Sequence, residues 1–186
     1  WYKPRLEISL QLIERANIPK SASLIDIGGG DSSLVDDLIQ AGYSQLTVLD
    51  ISSAALERAR ARLANRADTV TWLNADITQA KLPPYSYDLW HDRAMFHFLT
   101  DPASRSDYIR LCQTAVKPGG TVIVATFASD GPEQCSGLST MRYAPEDLER
   151  QFGVSFQLVE TVPELHKTPL GKIQSFVYCL FKKQMS

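Results

Sequence analysis

Residues 24–33, LIDIGGGDSS, constrain this chain more than any other stretch, because an apolar run suited to a buried strand breaks directly into three glycines. Glycine lets the backbone approach a ligand closely, and a helix starting just beyond it turns free N–H groups toward that ligand. Leu34, Val35, Leu38 and Ile39 repeat at helical spacing and predict a helix over 32–41 with Ser32 as N-cap. Asp50 ends the next apolar run twenty residues after Gly30, where a carboxylate accepts hydrogen bonds from ribose hydroxyls. Together these features predict a nucleotide-like cofactor. They leave a dinucleotide and an adenosyl compound both open.

The third glycine separates the two. A dinucleotide fingerprint, G-x-G-x-x-G, uses its last glycine to pack the helix over a pyrophosphate, and this chain carries Ser33 there. S-adenosylmethionine has no phosphate to cradle, so the turn need only clear a methionyl group. Asp26 is placed to orient the ammonium of that group through the local backbone or water. A dehydrogenase is disfavoured on the same residues.

The strand and helix pattern continues along the chain. Apolar periodicity predicts helices over 4–17, 53–65, 104–116 and 145–152, and strands over 23–27, 46–50, 70–74, 87–91 and 121–127. Pro19 ends the first helix, and Lys117-Pro118-Gly119-Gly120 stops the helix that precedes the fifth strand. Such alternation builds a parallel sheet with helices on both faces. Strands over 156–162 and 175–181 follow, joined by a loop too short for a helical crossover, so they pair antiparallel.

Composition narrows the partners. Nineteen basic and twenty-one acidic residues leave a net charge of -2 without a block of one sign, so no nucleic-acid or membrane surface is predicted. A small molecule or a protein patch is the expected partner. Three cysteines without C-x-x-C spacing argue against a disulfide framework or a zinc site, so no metal is expected and a reducing, cytoplasmic location is the simplest reading. No run approaches the roughly twenty apolar residues of a membrane helix, and no signal-peptide pattern opens the chain.

The motifs I-D-I-G-G-G-D-S at 25–32, V-L-D-I-S at 48–52, N-A-D-I at 74–77, Y-D-L-W-H-D-R-A-M-F-H-F-L at 87–99 and V-K-P-G-G-T at 116–121 occur in order over most of the chain. This series resembles class I S-adenosylmethionine-dependent methyltransferases. The resemblance implies an α/β fold: a doubly wound, mostly parallel seven-stranded sheet with a C-terminal antiparallel hairpin. It implies one domain over 1–186, with 1–20 an N-terminal helix and lid remnant. It also implies that Asp26, Gly28, Gly29 and Gly30 line the methionyl side and that Asp50 holds the ribose. Ile51 packs on adenine, Asp76 and Ile77 meet the adenine edge, and His91 faces the sulfonium. Gly29 stands where relatives often carry a cysteine or another small residue, a departure expected to be neutral for binding. The implied product is S-adenosylhomocysteine.

The acceptor is less constrained, because displacement from a sulfonium needs alignment and exclusion of water, and needs a base only if the acceptor arrives protonated. His91, His97 and Arg93 follow the fourth strand and are candidates for a base, a hydrogen-bond donor and a carboxylate ligand. The bland alternatives are a packed His97 and a structural Asp92–Arg93 pair. Cys135, Arg142 and Tyr143 lie in or just beyond the polar loop 127–143, which is long enough for a pocket wall, while Tyr2 is placed to cover the donor or merely to staple the first helix. A soluble methyltransferase acting on a small-molecule thiol, chalcogen, carboxylate or amine is the leading reading. A protein lysine methyltransferase and a non-catalytic binding module are the alternatives.

Overall fold

The computed structural model describes residues 3, 5–168 and 171–185. Its chain runs α1 (Glu7–Arg15), β1 (Ser23–Ile27), α2 (Leu34–Gln40), β2 (Gln45–Asp50), α3 (Ser53–Leu63), β3 (Val70–Asn74), β4 (Tyr87–Arg93), α4 (Pro102–Ala115), β5 (Val116–Phe127), β6 (Gln134–Cys135), β7 (Leu138–Ser139), α5 (Pro145–Phe152), β8 (Phe156–Lys167) and β9 (Ile173–Lys183). Seven strands form one sheet in the order β3-β2-β1-β4-β5-β9-β8. β1 to β5 pair parallel, and β9 is antiparallel to both β5 and β8. The sheet is the doubly wound α/β arrangement that the motifs imply.

Strand alternation divides the core. Leu24, Val48, Leu89 and Ile123 face α1, α2 and α3, which contribute Leu12, Ile13, Leu34, Val35, Leu38, Leu56 and Leu63. Ile25, Ile27, Trp90, Val122 and Val124 face α4 and α5, which contribute Tyr108, Cys112, Ala115, Leu148 and Phe152. Both faces of the central strands are therefore covered, which is why they read as continuous apolar runs rather than alternating ones.

Several boundaries differ from the expected ones, each for a local reason. The first helix is shorter than 4–17, and its buried stripe is Leu6, Ser9, Leu12 and Ile13, with Leu10 only half-buried. Ser32 does not N-cap α2. Its hydroxyl accepts from the amide of Leu34 at 3.1 Å, and the helix starts at Leu34. The Lys117–Gly120 segment ends α4 but also belongs to β5, with a register shift opposite Tyr87 and Leu89. The hairpin is longer than predicted, because pairing continues to Lys167 against Ile173. The loop after β5 folds its own two-stranded β6–β7 hairpin, a feature that short polar stretches do not announce.

β1 sits between β2 and β4, where the winding of the chain reverses. Open α/β sheets bind ligands at such a switch point, outside the carboxyl ends of the strands.

Candidate active site

A cavity of about 550 Å³ opens there, within the size range of small-molecule sites. The turn after β1 forms its floor. Gly28 adopts φ +69°, and a Cβ on it would stand 3.0 Å from Met95 Cβ. A Cβ on Gly30 would stand 2.8 Å from both Asp50 Oδ2 and Ala55 Cβ. At Gly29 the added atom would fall 2.1 Å from Asp26 Oδ2, so a side chain at this position would have to displace Asp26.

The acids at the strand ends are held by backbone amides. Asp50 accepts from the amides of Gly30 at 3.0 Å and Ser52 at 2.8 Å. Asp76 Oδ1 accepts from the amide and the hydroxyl of Thr78 at 2.9 and 2.8 Å. Both line the cavity, as do Asp26, Gly28, Gly29, Ile51, Ile77, His91 and Arg93. Ile51 stands 72% exposed at the rim, an apolar surface presented to whatever fills the cavity.

His91 lines the cavity, and both of its ring nitrogens are engaged. Its Nδ1 lies 2.7 Å from Asp26 Oδ1 and its Nε2 2.9 Å from Ser9 Oγ, and the ring is buried. His97 lies outside the cavity lining, stacked on Phe127 at 4.4 Å, with Nδ1 accepting from the Phe127 amide at 3.2 Å. Burial, and secondarily the Arg93 charge, push its pKa down to about 3, so it is a neutral packing residue at pH 7. Arg93 is not paired with Asp92. Its Nε donates to the Tyr178 hydroxyl at 2.7 Å, its Nη2 lies 3.4 Å from Glu164 Oε2, and its guanidinium sits over Phe176. Asp92 accepts instead from the amides of Met95 and Phe96 and from the Tyr108 hydroxyl, and full burial raises its carboxyl to about 6.

The loop residues are also redistributed. Cys135 is buried in the same core cluster as Phe127 and Phe176, Arg142 pairs with Glu133 at 2.9 Å, and Tyr143 packs on Phe96. None of the three lines the cavity; from that loop only Leu138 does. Tyr2 lies outside the described residues. Cys112 and Cys179 are core residues on the opposite face, and burial pushes the Cys179 thiol up to about 12. Among the described residues no group of three or more His, Cys, Asp or Glu side chains is placed to hold a metal ion, and no helix is long and apolar enough to cross a membrane.

The structure adds residues that spacing does not reveal. Lys3, Leu6, Ser32, Arg58, Met95, Phe98, Leu99 and Leu138 line the cavity. Lys3 bonds Glu164 at 2.7 Å and Glu7 at 2.8 Å, and Glu164 accepts from the Tyr178 hydroxyl at 3.0 Å. Burial alone would raise the Glu164 carboxyl, but the Lys3 hydrogen bond and the Arg93 and Lys3 charges hold it below its usual value.

A family model described as "Methyltransferase domain" matches residues 24–120, just over half of the chain. The chain belongs to the methyltransferase domain family. The cofactor of this methyltransferase domain is S-adenosylmethionine, and the residues fit it: the glycine cradle leaves no room for side chains, and buried Asp26 Oδ2 has no hydrogen-bond partner among the described residues. The domain is 34% identical over 106 residues to a ubiquinone biosynthesis O-methyltransferase from Stutzerimonas stutzeri, covering 56% of this chain and 44% of that protein. It is 27% identical over 107 residues to an eEF1A lysine and N-terminal methyltransferase from Bos taurus, covering 57% of this chain and 15% of that protein. The matches thus span less than half the length of these relatives. A SAM-dependent methyltransferase from Methanosarcina mazei has the same fold, with a TM-score of 0.77 at 17% identity over 94% of this chain and 98% of that one.

Proposed function

We propose that the protein transfers the methyl group of S-adenosylmethionine to a small-molecule acceptor, acting as one domain over the chain. The observation that carries this reading is the cavity itself, which is lined by the glycine turn, Asp50 and Asp76 after β1, β2 and β3 and by the apolar Met95, Phe98, Leu99 and Leu138. In this reading Asp50 accepts from the ribose hydroxyls, Ile51 and Ile77 flank the adenine, Asp76 accepts from its exocyclic amine, and Asp26 with Gly28, Gly29 and Gly30 receives the methionyl end. When bound, the cofactor supplies a methyl group on a sulfonium, whose leaving group needs no protonation.

Most ionisable side chains around the cavity have partners, while Asp26 keeps Oδ2 unpartnered among the described residues. His91 bonds Asp26 and Ser9, Asp31 pairs with Arg58, Arg93 contacts Glu164 and Tyr178, and Lys3 contacts Glu7 and Glu164. In this reading the chain acts by aligning the acceptor and excluding water, and an acceptor that arrives already nucleophilic, a thiolate, a chalcogen, a carboxylate or an uncharged amine, needs no base. The relative named for ubiquinone biosynthesis supports a small acceptor, and the eEF1A relative supports a protein lysine instead.

The test supplies S-adenosylmethionine with thiols, carboxylates, amines, selenite or tellurite and measures S-adenosylhomocysteine. Turnover with one of these classes supports the proposal. Turnover only with protein from a cell lysate moves the function to the lysine reading, and folded protein that fails to bind S-adenosylmethionine overturns both.

A further inference from the structure

Ser9 is fully buried in α1, on the stripe that otherwise carries Leu6, Leu12 and Ile13. A serine there costs helix propensity and desolvates a hydroxyl, so its partner matters. That partner is His91 Nε2 at 2.9 Å, and the other ring nitrogen, Nδ1, meets Asp26 Oδ1 at 2.7 Å. A carboxylate can only accept, so Nδ1 carries the proton, and in the neutral ring Nε2 accepts from the Ser9 hydroxyl. The three side chains form one directed chain from α1 through β4 to β1, whose residues Asp26 and His91 are register partners.

Asp26 Oδ2 ends that chain without a partner among the described residues, buried against the Cα of Gly29 on the cavity floor. A buried carboxylate with one oxygen unsatisfied carries a desolvation cost that a cation brought to the far side of the glycine turn would offset. The geometry points to Ser9 as a positioning residue for the methyl donor: through His91 it holds the Asp26 charge beneath the Gly28–Gly30 turn, where that charge attracts the donor's ammonium group. The serine, histidine and aspartate are connected as in a hydrolytic triad, but the Ser9 hydroxyl is sealed under its own helix and reaches no substrate. The inference rests on the donor reading proposed above.

Calorimetric titration with S-adenosylhomocysteine and with 5′-methylthioadenosine, which lacks the amino and carboxyl groups, separates positioning from general packing. Ser9→Ala is expected to weaken S-adenosylhomocysteine roughly three- to tenfold, the range of one hydrogen bond, and to leave 5′-methylthioadenosine unchanged. Ser9→Thr, which keeps the hydroxyl, retains the S-adenosylhomocysteine affinity, and Ser9→Ala adds nothing in an Asp26→Asn background. Equal weakening of both ligands by Ser9→Ala, or no weakening of either, overturns the inference. Wild-type protein that binds neither ligand overturns the donor reading itself, an outcome distinct from both.

Discussion

The amide of Gly30 donates to Asp50 Oδ2 over 3.0 Å, joining the turn after β1 to the end of β2 across twenty residues of sequence. A Cβ at position 30 would stand 2.8 Å from that same oxygen and 2.8 Å from Ala55 Cβ. The backbone there is not left-handed, so alanine is opposed by crowding rather than by φ.

Gly30→Ala is therefore expected to push the turn away from Asp50 and lower S-adenosylhomocysteine affinity by roughly tenfold or more, the scale of a local overpacking cost. Isothermal calorimetry on folded variant protein measures it. Undiminished affinity would show that the turn absorbs the methyl group.

Asp50→Ala removes the acceptor proposed for the ribose and strands two amide donors, those of Gly30 and Ser52. Binding of S-adenosylmethionine should weaken by about 1–3 kcal/mol, the range of a hydrogen bond to a charged group. Asp50→Asn, which keeps one acceptor oxygen, should fall between the two.

His97 gives a pH signature. Its folded pKa is about 3 and its unfolded value is the ordinary 6.5, so below 6.5 the unfolded chain takes up a proton that the folded chain refuses. Its contribution to stability is complete above pH 6.5 and is lost as pH falls toward 3, at up to about 1.4 kcal/mol per pH unit. His97→Asn preserves an acceptor for the Phe127 amide and removes the titration. The difference between wild-type and variant unfolding curves from pH 7.5 to 3.5 isolates this slope, because the opposite contribution of Asp92, raised to about 6, is common to both proteins. A flat difference curve refutes the assignment.

Glu164→Gln takes the charge from a carboxylate that is 6% exposed and that contacts Lys3, Arg93 and Tyr178. Glutamine keeps an acceptor oxygen, Lys3 keeps Glu7 and Arg93 keeps Tyr178, so the cost is that of weakened charge-assisted hydrogen bonds, about 1–3 kcal/mol. Urea denaturation should show a lower midpoint with an unchanged slope, the midpoint shift times the slope giving this loss.

The legible parts of this molecule share one property, that they depend on neighbours along the chain. Strands 23–27 and 70–74 and the helix over 145–152 have their predicted bounds because apolar spacing and flanking breakers act locally. The glycine turn and Asp50 were found by spacing for the same reason, Asp76 came from the motif resemblance, and all stand at the cavity or its floor. The antiparallel end of the sheet followed from loop length alone, although the strands run further than their apolar cores. His91, His97, Arg93, Cys135, Arg142 and Tyr143 were equally visible as residue types, yet their roles were not. A histidine's chemistry depends on what its two nitrogens touch, and both partners of His91 come from elsewhere in the sequence, 65 and 82 positions away.

The sequence by itself determined the alternation of strands and helices, a glycine turn and an acid at the next strand's end, and hence an α/β sheet with a candidate cofactor site after its first strand, since each is a matter of period and spacing. The tertiary structure alone decided which of the polar residues face that site. It placed Ser9 on His91, Glu164 between Lys3 and Arg93, and His97 against Phe127, because burial and charge pairing belong to surfaces that meet only when α1, β4, β8 and β9 pack together.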